Sequence, residues 1–310
     1  MKVLVTGANG FIGSALIKFL SVAKNIQVVG VVRPSASVVG LSNVDLIRSE
    51  LAHLTGFELC DIDVIIHTAG RAHMMRDTAI SPIDEFRKIN TDATLKLAKL
   101  GADAGVKRFI FLSSVKVNGD TTLLGFPFSA FSPVNPQDPY AISKNEAEYG
   151  LRDISTKTGL EITIIRPPLV YGPGVKGNFK TLIKLIYTKV PLPLAAIKFN
   201  RRSMVGVDNL VSLLESCIFH PNAANETFLV SDNFDVSTHK LLMMLGSAID
   251  KSTLMLWVPM SVLNVVAKLF GKSKQLDRLA DSLQVDISHT CSQLNWKPPY
   301  TMNEGFKKMK

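Results

Sequence analysis

The first half of the chain alternates short, continuously apolar runs with longer segments of helical periodicity. The apolar runs predict strands at Lys2–Thr6, 26–32, Val64–His67, Arg108–Leu112 and Glu161–Arg166. The periodic segments predict helices at Phe11–Leu20, 83–104 and Pro139–Thr158. Continuous apolar strands separated by helices are typical of a parallel sheet with helices on both faces. The pattern therefore predicts an α/β fold with a doubly wound parallel sheet.

The pattern changes after the last of these strands. Prolines and glycines interrupt residues 167–174, and most of the remaining chain has helical periodicity, with one strand near 227–230. We therefore predict a sheet domain over 1–166, to which part of 200–232 returns. The remainder, mainly 167–310, would form a smaller, mostly helical domain that binds the substrate, with ligands in the cleft between the two.

Composition narrows the class of protein. The chain has 310 residues, of which 46% are hydrophobic, and a mean hydropathy of +0.21, so it can bury a core and is neither disordered nor fibrous. Cys60, Cys217 and Cys291 are far apart and odd in number, which argues against a disulfide framework. No His, Asp and Glu residues have metal-ligand spacing, so we expect no metal. Because there is neither a signal peptide nor a run of about 20 apolar residues, we expect a cytoplasmic protein without stable membrane insertion.

The charge balance favours anionic partners. Lys and Arg number 35 and Asp and Glu 26, which gives a net charge of +9. The basic residues are not interleaved with aromatic residues and form no arginine-rich run. We therefore expect no nucleic-acid partner.

A glycine-rich segment, Thr6-Gly7-Ala8-Asn9-Gly10-Phe11-Ile12-Gly13, joins the first predicted strand to the first predicted helix. In this GxxGxxG spacing Gly7 permits a tight turn, Gly10 lets the backbone approach a pyrophosphate, and Gly13 lets the helix pack closely on the sheet. The helix N-terminus attracts the anion. We therefore predict a Rossmann-type domain that binds a dinucleotide through Gly7, Asn9, Gly10, Phe11, Ile12 and Gly13.

The end of the second predicted strand bears on which dinucleotide is bound. NAD binders usually have Asp or Glu there, to hold the ribose 2′-hydroxyl. This chain has Arg33 and Ser35 instead. Pairing of Arg33 with a 2′-phosphate favours NADP(H), with NAD(H) as the alternative if Arg33 is a solvated loop residue.

Tyr140 and Lys144 lie four residues apart in a predicted helix, so both side chains lie on one face. A nearby ammonium favours the phenolate form of a tyrosine. Lys144 would thereby lower the pKa of Tyr140, which could then exchange a proton with a sugar hydroxyl or a ketone. Ser114 follows the strand Arg108–Leu112, at the sheet edge where such folds bind ligands, and would hold the same oxygen. We predict Ser114, Tyr140 and Lys144 as catalytic residues.

Four segments together resemble an extended short-chain dehydrogenase/reductase, and within it the nucleotide-sugar epimerase/dehydratase family: Thr6–Gly13, Ser113–Gly119, Tyr140 with Lys144, and 166–174. The resemblance implies that further residues bind the cofactor, namely Thr68, Ala69, Gly70, Asn90, Tyr140, Lys144 and Pro167. It also implies a nucleotide-sugar substrate, most simply UDP-linked, held by Ser114, Lys116, Tyr140, Asn178, Arg202 and Arg278. Relatives often form homodimers, which we expect here through the helices 83–104 and Pro139–Thr158.

Two departures from the family narrow the chemistry. Family dehydratases have an Asp-Glu pair directly after the catalytic hydroxyl residue, where this chain has Val115 and Lys116. Keto-reductases that also epimerise at C3 and C5 use a Cys–His pair, and no cysteine lies near Ser114. Hydride transfer at one carbon, C4, therefore remains.

Two reactions share that step. A 4-keto reductase takes hydride once from exchangeable NADPH, whereas a 4-epimerase returns the hydride to the other face of the sugar and keeps NAD tightly bound. UDP-hexose 4-epimerases usually have Asn where this chain has Leu169, and Tyr where it has Asn118. The segment 278–286 resembles a subgroup from surface-polysaccharide pathways. We therefore prefer reduction of a UDP-4-keto-6-deoxy-N-acetylhexosamine, with the 4-epimerase as the alternative. A non-enzymatic dinucleotide sensor is a minor alternative, since such chains commonly lose the Tyr or Lys that are present here.

An apolar segment, 254–270, is flanked by Lys251, Lys268, Lys272 and Lys274. It is expected to be either the buried face of a lid helix over the sugar or an interfacial segment with weak membrane-surface association. We prefer the lid, because no clean polar face opposes the apolar one.

Overall fold

The computed structural model describes residues 1–36, 43–72, 81–175, 178–188 and 190–310. Its strands are β1 (Lys2–Thr6), β2 (Gln27–Val32), β3 (Val44–Arg48), β4 (Val64–His67), β5 (Arg108–Leu112), β6 (Glu161–Arg166), β7 (Leu169–Tyr171), β8 (Met204–Gly206) and β9 (Thr227–Leu229). Its helices are α1 (Phe11–Leu20), α2 (Pro82–Arg87), α3 (Ala93–Asp103), α4 (Pro139–Thr158), α5 (Asn178–Tyr187), α6 (Val207–Phe219), α7 (Thr238–Ala248), α8 (Met260–Leu269), α9 (Ser273–Ala280), α10 (Ser288–Leu294) and α11 (Met302–Lys307). Each described helix is too short or too polar to span a bilayer.

Seven strands form one parallel sheet in the order β3-β2-β1-β4-β5-β6-β9. The order reverses at β1, which pairs with β2 on one side and with β4 on the other. Such a reversal opens a crevice at the carboxyl ends of the strands, where doubly wound sheets bind ligands. Strands β7 and β8 pair separately. The predicted Rossmann-type fold with a largely helical C-terminal region is confirmed.

Apolar side chains cover both faces of the sheet. One cluster packs α1 and α6 against the sheet and includes Leu16, Leu210 and Phe228. A second cluster packs α3 and α4 against the opposite face. Two elements from the second half of the chain thus belong to the sheet domain: β9 extends the sheet and α6 packs on it. The division into domains at residue 166 stays a prediction.

The structure differs from the predicted elements in several places: the short pair β7 and β8 was not predicted, and two further differences bear on the site. The sequence did not predict β3, an edge strand that is only half-buried and contains the polar residues Asp45 and Arg48. The single helix predicted over 83–104 is divided into α2, a π-helical turn at Lys88–Asp92, and α3. This turn buries the polar side chain of Asn90, and an amphipathic pattern carries no signal for such a bulge.

A buried ion pair joins α4 to the sheet. Arg166, at the end of β6, contacts Glu148 with Nη2 at 2.5 Å and Nε at 3.0 Å, and both side chains are almost fully buried. Glu148 also accepts a hydrogen bond from Ser113 (2.5 Å), and Arg166 donates one to Asn118 (3.1 Å). The pair therefore fixes one side of α4 to the ends of β5 and β6.

Removal of one partner from this pair should be costly. We expect Arg166→Met to lower the free energy of unfolding by about 3–5 kcal/mol, because it leaves the Glu148 carboxylate buried without a counter-ion. The matched control is Arg87→Met, which removes a half-exposed pair with Glu146 and should cost about 0–1 kcal/mol. Chemical denaturation of both variants measures the difference. A double variant, Arg166→Met with Glu148→Leu, should recover stability, and similar losses in the Arg166 and Arg87 variants would contradict the account.

Candidate functional site

The loop between β1 and α1 has no room for side chains at two of its glycines. Gly7 has a φ of +68°, and a Cβ on it would lie 2.8 Å from the backbone of Ala69. A Cβ on Gly13 would lie 2.1 Å from the carbonyl oxygen of Gly7. Contacts this short do not occur in folded proteins, so the glycines allow α1 to begin against the loop. The turn has the shape that the GxxGxxG spacing predicts.

Helix α1 begins without a side-chain cap. Gly10 is its N-cap residue, its N–H donates to the Gly7 carbonyl (2.8 Å), and no side chain accepts from the first turn. The first-turn N–H groups, which include those of Phe11 and Ile12, have no intrahelical acceptor, and Asn9 is exposed beside them. An uncapped helix N-terminus at the carboxyl edge of a parallel sheet can bind a phosphate.

A second loop, after β4, lies against the first one. Thr68 Oγ1 donates to the Thr6 carbonyl (2.7 Å). A Cβ on Gly70 would lie 3.3 Å from Nζ of Lys144 and 3.2 Å from Oδ1 of Asn90. Asn90 donates in turn to Ser143 Oγ (3.0 Å) on α4. The structure therefore brings the predicted cofactor residues Thr68, Ala69, Gly70 and Asn90 to the helix that carries Tyr140 and Lys144.

Ser114, Tyr140 and Lys144 lie together. Ser114 follows β5, is 9% exposed, and is hydrogen-bonded to the Tyr140 hydroxyl. The Nζ atom of Lys144 donates to the Leu112 carbonyl (2.9 Å) and lies 4.5 Å from the centre of the Phe111 ring. The predicted group of three side chains thus meets at the carboxyl end of β5, next to Gly70.

Burial dominates the acid–base properties of this group. It raises the pKa of Tyr140 to about 12, although the hydrogen bond with Ser114 acts in the opposite direction. It lowers the pKa of Lys144 to about 7, against the nearby carboxylate of Glu148. The predicted lowering of the Tyr140 pKa by Lys144 is not seen, because the loss of hydration dominates and Lys144 is not among the groups that shift this pKa. Tyr140 is therefore a neutral phenol, which can hold a hydroxyl or donate a proton.

Lys116 and Arg278 lie near Asp138, the residue that precedes α4 and Tyr140. Lys116 Nζ pairs with Asp138 (2.5 Å) and Asp120 (3.0 Å). Asp138 caps α4 by accepting from the N–H of Ala141 (2.8 Å). Burial raises the pKa of Asp138, but the hydrogen bonds from Lys116 and Ala141 and the charge of Arg278 outweigh it and hold that pKa below its usual value. Basic groups from two parts of the chain therefore converge beside Tyr140.

Arg202 is half-buried and holds the end of α9. Its Nη1 atom donates to the carbonyl oxygens of Arg278 (2.9 Å) and Asp281 (3.0 Å). Burial lowers the pKa of Arg202, with Asp281 acting against it. Asn178 begins α5, but its side chain lies outside the described residues. Pro167 accepts a hydrogen bond from the N–H of Val115 (3.0 Å), which follows Ser114 directly.

Two arginines lie at the carboxyl ends of β2 and β3, away from Tyr140 along the sheet edge. Arg33, after β2, is exposed. Arg48, at the end of β3, donates with Nη1 to the carbonyl oxygens of Ala36 (2.7 Å) and Pro34 (3.4 Å). Arg48 thus holds the loop that follows Arg33, a role that the sequence analysis missed together with β3.

Sequence reasoning also missed two polar residues of the site, Asp138 and Glu148. Asp138 precedes Pro139 at the start of α4, and an Asp before a Pro is a recognisable helix N-cap signal. Glu148 has no local signal, because its partner is 18 residues away in the chain. His67 accepts or donates hydrogen bonds with Thr6 (2.7 Å) and Thr94 (2.9 Å). Burial, with the charge of Lys144 adding to it, lowers the pKa of His67 to about 3, so this imidazole is neutral.

Comparison with known proteins gives the family. The profile of the NAD dependent epimerase/dehydratase family matches residues 3–230. A UDP-glucose 4-epimerase of Vibrio cholerae is 45% identical over 99% of this chain and 93% of its own. The N-acetyl-alpha-D-glucosaminyl-diphospho-ditrans,octacis-undecaprenol 4-epimerase of Escherichia coli O157:H7 is 26% identical over 98% of this chain and 92% of its own.

A solved structure has the same fold. The UDP-glucuronic acid 4-epimerase of Bacillus cereus, in complex with NAD, superposes with a TM-score of 0.81 over 100% of this chain and 97% of its own, at 22% identity. These matches indicate the same family as the glycine-rich turn and the Ser114–Tyr140–Lys144 group. The chain belongs to the NAD dependent epimerase/dehydratase family.

Proposed function

We propose that the protein is a 4-epimerase of a UDP-hexose or UDP-N-acetylhexosamine that keeps its pyridine nucleotide bound between turnovers. The observation that carries the proposal is the meeting of Ser114, Tyr140 and Lys144 beside Gly70, at the sheet edge that carries the glycine-rich turn. The relative that is 45% identical along nearly the whole chain is named a UDP-glucose 4-epimerase. This reverses the preference for 4-keto reduction that the sequence alone suggested.

Each residue of the group has a role in this proposal. To act as the base, Tyr140 must first lose its own proton to solvent; the phenolate then takes the proton of the C4 hydroxyl when the sugar is oxidised, and the phenol returns it when the sugar is reduced. Ser114, hydrogen-bonded to Tyr140, holds the same oxygen. Lys144 lies next to the cofactor loop and stabilises the phenolate whenever it carries a proton. Lys116 and Val115 stand where a dehydratase needs an acid and a base, so elimination of water is not part of the proposal.

The loops fit a dinucleotide. The glycine-rich turn admits no Cβ at Gly7 or Gly13, and α1 begins there without a cap, so a pyrophosphate has backbone N–H groups to bind. When bound, the pyridine nucleotide supplies the acceptor and the donor of the hydride. The side of the proposed cofactor site next to Lys144 would be formed by Thr68, Ala69, Gly70 and Asn90. Pro167 would line the site on the other side of Ser114.

The nucleotide-sugar would extend from Tyr140 toward Lys116 and Arg278. Lys116 and Arg278 converge there, and Arg202 holds the segment that carries Arg278. We propose that these basic side chains, with Asn178, bind the diphosphate and the sugar.

A second candidate is a 4-keto reductase that uses NADPH, because Arg33 and Arg48 follow the strands where NAD binders usually have a carboxylate. An exposed arginine there can pair with a 2′-phosphate. The two candidates differ in whether the dinucleotide stays on the protein.

Removal of the Tyr140 hydroxyl should abolish most of the activity. We expect Tyr140→Phe to lower kcat for interconversion of UDP-glucose and UDP-galactose by about 10²–10⁴-fold, because the proton at O4 then has no acceptor. UDP-N-acetylglucosamine serves as a second substrate, and product formation is followed by NMR. The matched control is Tyr149→Phe, which changes an exposed tyrosine on the same helix and should leave kcat unchanged. A Tyr140→Phe variant as active as the unmodified enzyme would contradict the assignment.

The glycine-rich turn can be tested separately. We expect Gly13→Ala to abolish copurification of the dinucleotide and to lower the free energy of unfolding by about 1–3 kcal/mol, since the new Cβ overlaps the Gly7 carbonyl. In Gly56→Ala the new Cβ meets no atom within 4 Å, so binding should persist and stability should change by about 1 kcal/mol at most. Absorbance of the purified variants and denaturant melts give both quantities. Full dinucleotide content in Gly13→Ala would place the binding site elsewhere.

The released dinucleotide distinguishes the two candidate reactions. For the 4-epimerase, mass spectrometry of the denatured protein, purified without added nucleotide, should show near-stoichiometric NAD. For the 4-keto reductase, the protein should be empty and should bind NADPH more tightly than NADH, a preference that Arg33→Ser would remove. The second result would overturn the proposed function in favour of the alternative.

A further inference from the structure

Helix α8 presents apolar side chains to solvent. Of its ten residues, Leu263 is the one that is buried, and with Leu276 of α9 and Ile197 it forms a small apolar cluster. Opposite that cluster, the residues at positions i, i+3, i+4 and i+7 are exposed: Val262 (47%), Val265 (60%), Val266 (44%) and Leu269 (78%). The predicted lid helix was to bury its apolar face; α8 buries one apolar face and leaves a second one exposed, and its role as a lid stays a prediction.

The residues on either side of α8 extend the exposed apolar surface. Phe270 directly follows the helix and is 73% exposed. Trp257 precedes it and is 68% exposed, and Leu254 and Leu256 are also exposed. We call these side chains, with the four of α8, the α8 surface. Exposed apolar side chains concentrated in one short segment in this way mark a site of interaction.

Positive charge adjoins the α8 surface. Lys268, Lys272 and Lys274 are exposed, and none of the ion pairs among the described residues involves them. Between residues 251 and 280 the chain has five basic residues and one acidic residue, Asp277. Positive charge is therefore in excess in this segment as well as in the whole chain.

We propose that the α8 surface binds the surface of an anionic lipid bilayer, with the apolar side chains in the boundary between headgroups and acyl chains and the lysines on the anionic headgroups. A helix that lies in this plane needs an exposed apolar face with lysines beside it, and α8 has both. Trp257 is of the residue type that favours the interface. This inference concerns where the protein works and does not depend on the proposed reaction.

A second copy of the chain fits this surface less well. A two-fold dimer places the same patch of both subunits face to face. Lys268, Lys272 and Lys274 of one subunit would then lie near those of the other, and like charges in contact are unfavourable. A bilayer that contains acidic lipid has the opposite charge.

The experiment measures binding to vesicles. The purified full chain is mixed with vesicles of phosphatidylcholine alone or of phosphatidylcholine with phosphatidylglycerol, and is sedimented. We expect binding to the mixed vesicles, weakening with added salt, and little binding to phosphatidylcholine alone. The chain has two tryptophans, of which Trp296 is 6% exposed, so a blue shift on binding reports Trp257.

Matched variants separate the contribution of the apolar side chains to vesicle binding from that of the lysines. Leu269→Ser with Phe270→Ser should reduce binding, whereas Val22→Ser with Phe57→Ser, which are as exposed but distant in the sequence, should not. Charge reversal at Lys268, Lys272 and Lys274 should lower the partition coefficient at least about tenfold, and reversal at the exposed Lys18, Lys24 and Lys99 should lower it less.

Three results would overturn the proposal. The first is a protein that stays in the supernatant with anionic vesicles at low salt. The second is vesicle binding that both sets of variants reduce equally, which would indicate attraction by net charge alone. The third is a dimer in light scattering that Leu269→Ser with Phe270→Ser dissociates, which would assign the α8 surface to a second copy of the chain.

Discussion

The buried ion pair between Glu148 and Arg166 is the interaction on which the candidate site depends. It joins the middle of α4 to the carboxyl ends of β5 and β6, through Ser113 as well as Arg166. Charged groups removed from water stabilise a fold only when each finds its partners, and here the carboxylate and the guanidinium are satisfied by each other and by Ser113 and Asn118. Because Lys144 lies one helical turn before Glu148, the pair also sets where Lys144 and Tyr140 meet the sheet edge.

The same burial determines the protonation of the site. Lys144, Tyr140 and His67 all lie where hydration is lost, so the neutral form of each is favoured. Lys144 thus has a pKa near 7 and can gain or lose a proton at neutral pH, while Tyr140 keeps its proton until charge changes beside it. The protonation of such a site responds to the charge of what binds in it, which suits the proton transfer proposed for Tyr140.

The sequence predicts what local pattern determines. The strands of the sheet, the GxxGxxG turn and the spacing of Tyr140 and Lys144 depend on residues close together in the chain, and the structure places them as expected. The edge strand β3, the π-helical turn that buries Asn90, and the contact of Arg48 with the loop after Arg33 depend on packing between distant segments. Periodicity likewise could not tell which of the two apolar faces of α8 is buried. The sequence pattern does not decide between 4-keto reduction and 4-epimerisation, because the residues proposed to bind the sugar and move its proton would serve both reactions; the relative named a UDP-glucose 4-epimerase favours the second.

The central claim is that hydride leaves C4 of the sugar and returns to C4 of the same molecule while the dinucleotide stays on the protein. The most direct measurement uses UDP-glucose with deuterium at C4, incubated with purified protein without added dinucleotide, and follows the label by NMR and mass spectrometry. The account predicts UDP-galactose that retains the deuterium at C4. Loss of the deuterium to solvent, or conversion that requires added NADPH and a 4-keto sugar, would contradict it.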